Sequence, residues 1–441
     1  MVGIDSTALL TDHYELTMLE ASLRSGAAHR RCVFEVFARR LPEGRRYGVV
    51  AGTGRLLDDL ERFRFDGPVL DFLARNEIVD DRTLDWLAGY RFSGDIWGYA
   101  EGECYFPGSP LLIVEAPFGE AVLLETLVLS VLNHDSAVAA AASRMTYAAG
   151  DRPCIEMGSR RTHEDAAVSA ARAAYIAGFS STSNLEAGRR YGIPTTGTSA
   201  HAFTLVHDSE RQAFQAQVES LGTGTTLLID TYDVETAVRT AIEVAGPELG
   251  AVRIDSGDLV ELAHQVRNQL DALGAAKTRI VVTSDLDEYQ IAALAAAPVD
   301  AYGVGTQLVT GSGHPTAGLV YKLVARAASD DPDASLIPVA KKSAEKATRG
   351  GRKYALRRRG PDGVATAEVI SVGQPPEPPA EGDDRPLLVP LVKNGEIVGR
   401  EPLAAARERH AASRAELPPT AHQMSKGEPA IPTLYMEGSK R

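Results

Sequence analysis

The sequence predicts an α/β protein with a barrel in the middle of the chain and an α+β domain at its start. Between Pro153 and Thr310, short apolar segments alternate with helical segments six or seven times, which is typical of a closed or nearly closed parallel barrel. Before and after that region, apolar and polar residues alternate over short runs, and this pattern predicts antiparallel strands.

The pattern of apolar residues in the first 122 residues predicts the α+β domain. Residues 5 to 24 have the apolar spacing of a helix, and residues 32 to 37 alternate as a strand does. Residues 54 to 87 predict a helical insertion, after which short strands return.

Residues 123 to 335 predict the barrel domain. It opens with a long helix from Leu123 to Tyr147, which the polar run Asn133 to Ser136 is expected to interrupt. The following barrel strands are predicted at residues 154–157, 179–181, 193–196, 226–229, 252–254, 280–282 and 299–302.

Residues 336 to 441 return to short strands and end in a helical tail from about Ala404. The dipeptide Asn394-Gly395 between two apolar runs predicts a hairpin. We expect these strands to complete the sheet of the first domain.

The formal net charge of −13 opposes broad binding to nucleic acids or anionic membranes, because such surfaces repel an acidic protein. No apolar run is long enough to span a bilayer, and the N-terminus lacks a basic start followed by an apolar core, so we expect a cytoplasmic protein. Three widely spaced cysteines predict neither a disulfide framework nor a CxxC metal site. Anionic ligands therefore require local positive charge, which Arg160-Arg161 and the basic run from Lys341 to Arg359 can supply.

Small or acidic residues follow three consecutive predicted strands. The segments are Asp255-Ser256-Gly257-Asp258, Ser284-Asp285 and Gly303-Val304-Gly305-Thr306. Because the carboxyl ends of parallel strands meet at one face, we expect these segments to border one site. Gly303, Gly305 and Thr306 suit a phosphate, since small residues let backbone N–H groups approach an anion closely.

The acidic members of these segments suit a different part of a ligand. Asp255, Asp258 and Asp285 can hold Mg²⁺ or the hydroxyl groups of a ribose. Phosphate donors beside carboxylates indicate a phosphorylated sugar with a metal, although each turn alone could be an ordinary helix cap.

Three arginines and one histidine are further candidates. Arg160 and Arg161 follow a predicted strand, and their planar forks match phosphate or carboxylate. Arg253 either binds a second phosphate or pairs with a barrel carboxylate. His201 follows small residues at a strand-to-helix junction, where an imidazole can attack a phosphoryl group or act as a base, or be merely structural.

Other enzyme classes lose support. No predicted barrel strand ends in a lysine, which opposes a Schiff-base aldolase. The sequence contains no GxSxG, HExxH or GxxxxGK[ST] segment.

Nine segments in unbroken order carry a resemblance to a known family. They are TDHYELTML, FEVFARRLPEG, ETLVLSVLNHDS, EMGSRRTHEDAA, GFSSTSNLEAGRRYGIPTTGTSAHAF, RIDSGDL, TSDLDEY, YGVGTQLVT and KKSAEKATRGGRK. Through them the chain resembles the nicotinate phosphoribosyltransferases, which have a type II phosphoribosyltransferase fold. The resemblance implies an irregular TIM-like α/β barrel plus an α+β, sandwich-like domain built from both ends of the chain.

The resemblance also implies an activity. The family transfers phosphoribose from 5-phosphoribosyl 1-diphosphate to nicotinate in NAD salvage, giving nicotinate mononucleotide and diphosphate. The implied enzyme is an ATP-coupled ligase that requires Mg²⁺ and hydrolyses ATP through a phosphohistidine, which the segment GTSAH places at His201.

Roles follow by position for the other residues. The resemblance implies that Gly305 and Thr306 hold the 5-phosphate, and Gly303 and Ser284 are further substrate-binding candidates. It implies that Asp255 contacts the ribose hydroxyls, that Arg160 and Arg253 contact phosphates, and that Asp285 contacts the sugar or the metal.

The N-terminal segment has an implied role in another subunit. Asp12 and Tyr14 resemble a pair that reaches into the partner's site, with the tyrosine stacked on the pyridine ring, so the expectation is a homodimer. Met157 stands where relatives often have phenylalanine, and its thioether can still pack on an aromatic face.

The preference for nicotinate requires a group that favours a carboxylate. Arg161 is our candidate, with Ser181 or Thr182 as neutral hydrogen-bond donors. Two alternatives stay open, namely a nicotinamide or quinolinate phosphoribosyltransferase on the same fold, and a non-catalytic phosphosugar-binding barrel.

Overall fold

The computed structural model describes residues 6–329, 331, 334–341, 349–376 and 383–436, so part of the basic run after Lys341 lies outside the described residues. The chain forms two compact units, one of Met1–Ala137 with Thr316–Arg441 and one of Val138–Pro315. These limits differ from the predicted boundaries after 122 and 335. One reason is that the strand Leu319–Ala327 pairs with Arg31–Ala38 in the first unit.

Within its described residues, the first unit contains seven α-helical segments if the long helix that continues into the second unit is included. They are His13–Ser25, Thr53–Glu61, Gly67–Arg75, Asp81–Ala88, Phe118–Val122, Glu125–Ala149 and Leu403–Ala415, with 3-10 turns at Ala27–His29 and Pro419–His422. The prediction that the first helix starts near residue 5 is wrong. Thr7 instead donates a hydrogen bond of 2.6 Å to the Asp59 carbonyl, which holds this segment outside the helix.

An antiparallel seven-stranded sheet combines strands from both ends of the chain. Its order is Leu336–Pro338, Leu319–Ala327, Arg31–Ala38, Leu112–Pro117, Asp95–Tyr99, Leu388–Lys393 and Glu396–Ile397. The last two strands form the predicted hairpin, in which Asn394 and Gly395 have positive φ angles of 50° and 78°. One face of this sheet packs with the helices around a large apolar core that includes Leu19, Phe34 and Val114.

The described residues of the first unit also form two smaller sheets. One has the order Arg385–Pro386, Lys353–Arg359, Ala365–Val372 and Thr433–Tyr435, and the other pairs Gly48–Val49 with Cys104–Tyr105.

The second unit is built on a six-stranded sheet in which all neighbours are parallel. The order is Ser181–Thr182, Cys154–Glu156, Ala301–Val304, Arg279–Ser284, Ala251–Ile254 and Thr226–Leu228. The predicted strand at 193–196 is reduced to a single bridge between Thr182 and Thr195. Among the described residues no ladder joins that edge to Thr226–Leu228, so the sheet is open and the prediction of a closed or nearly closed barrel is corrected.

Helices of the second unit follow the strands as a parallel sheet requires. They are Glu164–Ile176, Leu185–Tyr191, His201–Leu205, Glu210–Leu221, Val234–Ala245, Leu259–Ala272, Glu288–Ala293 and Thr306–Val309, with a 3-10 turn at Leu294–Ala296.

The long helix Glu125–Ala149 is continuous, so the predicted interruption at Asn133 is wrong. Polar side chains there have partners: the Asn133 amide oxygen accepts a hydrogen bond of 2.8 Å from the Leu319 N–H, and Arg55 donates one of 2.8 Å to Asp135. Within the described part of the chain, no helix is both long enough and apolar enough to cross a membrane.

Candidate active site

A cavity of about 590 Å³ lies at the carboxyl ends of the parallel strands. Its walls come from segments that follow five of the six strands, together with the loop 196–200. Among the predicted residues, the lining includes Arg160, Arg161, Arg253, Asp255, Ser284, Asp285, Gly303, Gly305 and Thr306. The sheet therefore brings residues together that are up to 146 positions apart, from Arg160 to Thr306.

The three arginines differ in their surroundings. Arg160 and Arg161 are exposed, whereas the Arg253 side chain is only 11% exposed. Its guanidinium donates to the Ser199 carbonyl at 2.9 Å and to the Thr198 hydroxyl. Burial lowers the pKa of Arg253, and the nearby Asp255 carboxylate, whose Oδ1 lies 3.5 Å from Nη2, opposes that change.

Two carboxylates of the cavity are held by hydroxyl groups. Asp255 accepts a hydrogen bond from Thr283, and Asp285 accepts one of 3.1 Å from Thr306. Asp258 does not line the cavity. It caps the helix Leu259–Ala272 by accepting a hydrogen bond from the Glu261 N–H, which is the ordinary structural role for this residue type.

Asp230 was not predicted as a site residue, although it follows its strand as Asp255 does. Its side chain is 3% exposed, and Oδ2 accepts hydrogen bonds from the Asp255 N–H at 2.9 Å and the Ser256 hydroxyl at 2.7 Å. The other oxygen, Oδ1, is buried without a hydrogen-bond partner among the described residues and lies 3.9 Å from His201 Nε2.

His201 begins the short helix His201–Leu205, immediately after the loop that lines the cavity. Its Nε2 atom lies 3.9 Å from a carboxylate oxygen of Asp255 and from one of Asp230. Its Nδ1 atom lies 3.1 Å from the Thr231 hydroxyl. The ring is 40% exposed, so it has acidic neighbours on one side and remains accessible.

The surroundings of Gly303 leave no room for a side chain. A Cβ atom there would lie 2.4 Å from Thr283 Cγ2 and 2.7 Å from Met157 Sδ. The absence of a side chain therefore lets Met157 pack across the strand ends beside the cavity. Gly305 leads directly into the turn Thr306–Val309.

The structure corrects the prediction for Ser181 and Thr182, because neither lines the cavity. The Thr182 hydroxyl donates to the buried carboxylate of Glu156 instead. The neighbouring residue that does line the cavity is Ser183. Sequence reasoning missed it because the strand Ser181–Thr182 ends one residue later than expected.

Asp12 and Tyr14 lie in the first unit, at the start of the helix His13–Ser25. Asp12 occupies the N-cap position without a side-chain cap, and Tyr14 is 44% exposed. Partial burial, followed by the nearby Glu125 carboxylate, raises the pKa of Tyr14, so the phenol stays protonated and can donate a hydrogen bond.

The cavity carboxylates fit the way in which proteins bind Mg²⁺. Across the described ranges, no three His, Cys, Asp or Glu side chains cluster as a metal site. Mg²⁺ commonly needs only one or two protein carboxylates, since waters and substrate phosphates supply its other ligands. Asp255 and Asp285 meet that requirement because both line the cavity.

Arginines, small turn residues and carboxylates at the carboxyl ends of parallel strands define a class of α/β proteins that bind phosphorylated sugars. Residues 9–133 match the model of the nicotinate phosphoribosyltransferase N-terminal domain, and residues 153–346 match that of the nicotinate phosphoribosyltransferase family. The chain belongs to the nicotinate phosphoribosyltransferase family.

Individual relatives agree with this assignment. The chain is 58% identical to nicotinate phosphoribosyltransferase pncB1 of Mycobacterium tuberculosis (strain CDC 1551 / Oshkosh), over 97% of this chain and 95% of that protein. It is 39% identical to nicotinate phosphoribosyltransferase of Bacillus subtilis (strain 168), over 80% and 73%. The crystal structure of human nicotinic acid phosphoribosyltransferase superposes with a TM-score of 0.81 at 26% identity, covering 97% of each chain.

Proposed function

We propose that this protein transfers the phosphoribosyl group of 5-phosphoribosyl 1-diphosphate to nicotinate, as a step of NAD salvage. The observation that carries the proposal is the single cavity in which arginines, small turn residues and carboxylates meet, in a chain of this family. A cavity of about 590 Å³ is within the usual size of small-molecule sites.

The bond changes define what the residues must do. The pyridine nitrogen of nicotinate forms a bond to C1 of the ribose, and the bond from C1 to the diphosphate oxygen breaks. Diphosphate leaves with the electron pair, so negative charge develops on it while the ribose becomes oxocarbenium-like. No base is needed, because the pyridine nitrogen already carries a lone pair and loses no proton.

Each group in the cavity then has a distinct task. Arg160 and Arg253 stabilise the charge on phosphate, and preorganised donors of this kind lower the barrier to charge separation. Gly305 and Thr306 hold the 5-phosphate, and Asp255 orients the ribose through its hydroxyls. Mg²⁺ held by Asp255, Asp285 and diphosphate would supply further positive charge to the leaving group.

Recognition of nicotinate is assigned to Arg161. Its guanidinium can pair with the pyridine carboxylate through two hydrogen bonds, which a neutral amide would not accept equally well. Ser183 takes the place of Ser181 and Thr182 as the proposed hydroxyl donor to nicotinate, because Ser183 lines the cavity and they do not.

ATP is proposed to act through His201. Transfer of the γ-phosphoryl group to the imidazole releases ADP, and later hydrolysis releases phosphate. The phosphate on nitrogen would add negative charge and acceptor oxygens next to the loop 196–200, and so order the loop around the substrates.

The test is a nicotinate mononucleotide assay on the purified protein with and without ATP, using nicotinate, nicotinamide and quinolinate side by side. We expect turnover of nicotinate, a lower KM for nicotinate with ATP, and a phosphorylated histidine by mass spectrometry. His201→Ala should lose the ATP effect, whereas His207→Gln, which lies on the same segment and contacts the Phe203 carbonyl, should keep it. Preference for another pyridine, or no diphosphate release, would reject the proposed activity.

A further inference from the structure

Glu156 is a buried carboxylate at the end of the strand Cys154–Glu156. Glu156 is fully buried, and among the described residues no cation contributes to the shift of its pKa. It accepts hydrogen bonds from the Gly158 N–H and from the Thr182 hydroxyl. Burial raises the pKa of Glu156, and these two hydrogen bonds oppose the change.

Further hydrogen bonds connect Thr182 and Glu156 to two segments of the cavity wall. The Thr182 hydroxyl oxygen accepts a hydrogen bond of 2.9 Å from the Asn184 N–H. The Asn184 side-chain amide donates one of 3.1 Å to the Ser159 hydroxyl, and the Glu156 carbonyl accepts one of 2.8 Å from the Ser183 N–H.

This network joins two segments that line the cavity. One is the turn after Gly158, in which the Arg161 N–H donates to the Gly158 carbonyl at 2.8 Å and which carries Arg160. The other is the turn that carries Ser183. Glu156 and Thr182 themselves do not line the cavity.

We propose that Glu156 and Thr182 are positioning residues, which set the two arginines of one turn at a fixed distance from Ser183 on the other. The inference rests on the proposed function, because those two turns are assigned there to phosphate and nicotinate. A buried carboxylate accepts two hydrogen bonds in fixed directions, so losing one partner releases one turn from the other. Displacements of about 1 Å in such supports can cost about 100-fold in rate.

Thr182→Val is the first test, because valine keeps the shape of threonine and removes the hydroxyl. We expect KM for nicotinate and for 5-phosphoribosyl 1-diphosphate to rise about 10-fold, with a smaller change in kcat. Thr182→Ser restores the hydroxyl and should return both KM values to within about twofold of wild type.

The matched control is Ser180→Ala. Ser180, which directly precedes the strand Ser181–Thr182, donates its hydroxyl to the Cys154 carbonyl at 3.0 Å and lies outside the network. This variant should retain wild-type KM values. A merely structural role for Thr182 would lower the folded fraction, and therefore kcat, at constant KM.

The outcomes separate the two proposals. Absence of turnover in the wild-type protein rejects the proposed function. Normal turnover together with unchanged KM values in Thr182→Val rejects the positioning role alone. If Thr182→Val does not fold, Glu156→Gln is used with direct measurement of 5-phosphoribosyl 1-diphosphate binding by calorimetry; an unchanged Kd overturns the inference, and a Kd raised about 10-fold supports it.

Discussion

At the scale of single residues, Asp230 supports the cavity from behind its wall by contacting both Asp255 and His201. One of its oxygens fixes the backbone of Asp255, while the other faces the His201 ring at 3.9 Å. A carboxylate placed in this way can orient an imidazole and stabilise positive charge on it. Of the two carboxylates beside the proposed phosphoryl acceptor, Asp255 lines the cavity and Asp230 does not.

Asp230→Asn removes the negative charge and keeps the size of the side chain. We expect kcat/KM for nicotinate in the presence of ATP to fall about 10- to 100-fold, because the His201 ring loses its buried acidic neighbour. Steady-state kinetics with ATP measure the effect. Asp258→Asn is the control, since Asp258 caps a helix and asparagine caps equally well. Equal kinetics for the two variants would contradict the role given to Asp230.

At the scale of secondary-structure elements, the stability of a hairpin depends on the backbone geometry of its turn. Gly395 closes the hairpin between Leu388–Lys393 and Glu396–Ile397 at φ 78°, and a Cβ atom there would lie 2.3 Å from the Phe92 carbonyl oxygen. Gly363 has the same φ, but a Cβ atom there meets no atom within 4 Å. Replacing each glycine by alanine therefore distinguishes two effects: Gly363→Ala introduces backbone strain alone, and Gly395→Ala introduces the same strain together with a steric clash.

Gly363→Ala should destabilise the protein by about 1 kcal/mol, because alanine is strained at positive φ. Gly395→Ala should cost at least about 2 kcal/mol, since the clash with a backbone oxygen adds to the same strain. Urea unfolding of both variants measures the difference. If both variants lose the same free energy of unfolding, the hairpin moves away from Phe92 without cost.

The helix Leu403–Ala415 carries a buried histidine that makes stability depend on pH. His410 is 2% exposed, its Nδ1 lies 3.1 Å from the Gly102 carbonyl oxygen, and burial lowers its pKa to about 3. The unfolded chain, with a histidine pKa near 6.5, binds the proton more tightly. The contribution of neutral His410 is therefore complete above about pH 6.5 and is lost as the pH falls toward 3.

Lowering the pH from 7.5 to 5 should reduce the free energy of unfolding of the wild-type protein by about 2 kcal/mol more than that of the His410→Gln variant. Urea unfolding at both pH values gives the comparison. His163→Gln, which changes an exposed histidine, should keep the wild-type dependence. A His410→Gln variant with the wild-type dependence would disprove this source of acid sensitivity.

At the scale of the whole molecule, the net charge is negative, but positively charged side chains collect in the cavity. The chain carries a formal net charge of −13, yet Arg160, Arg161 and Arg253 meet in one cavity. Local positive charge of this kind attracts a polyanionic sugar diphosphate, while the acidic remainder repels nucleic acids. In the homodimer that the family resemblance implies, Tyr14 of each subunit would reach the other subunit's site.

If each site takes Tyr14 from the partner subunit, as the resemblance implies, two inactive variants should complement each other. Tyr14→Ala and Asp255→Asn should each lose most activity as pure proteins. After subunit exchange, mixed dimers contain one intact site, so an equimolar mixture should recover about a quarter of wild-type activity. The activity assay on the mixture measures this recovery. If the mixture is no more active than its components, each site is built from one chain.

The sequence by itself determined the order of strands and helices, the collection of strand ends on one face, and the family. Apolar strands followed by Asp255, Asp285 and Gly303 could be recognised because a parallel sheet places every carboxyl end on the same side. The helices Leu185–Tyr191 and Val234–Ala245 have limits that local sequence defines, since the caps Asn184 and Asp233 precede them and Gly192 and Gly246 follow them.

Only the tertiary structure decided which side chains meet. It left the sheet open after the single bridge at Thr195, where the loop that follows is hydrogen-bonded to the side chain of Arg253. It turned Thr182 toward Glu156 and placed Ser183 in the cavity. The physical reason is that a one-residue shift at a strand end exchanges the two faces of the sheet, and hydrogen bonds between distant segments fix that register.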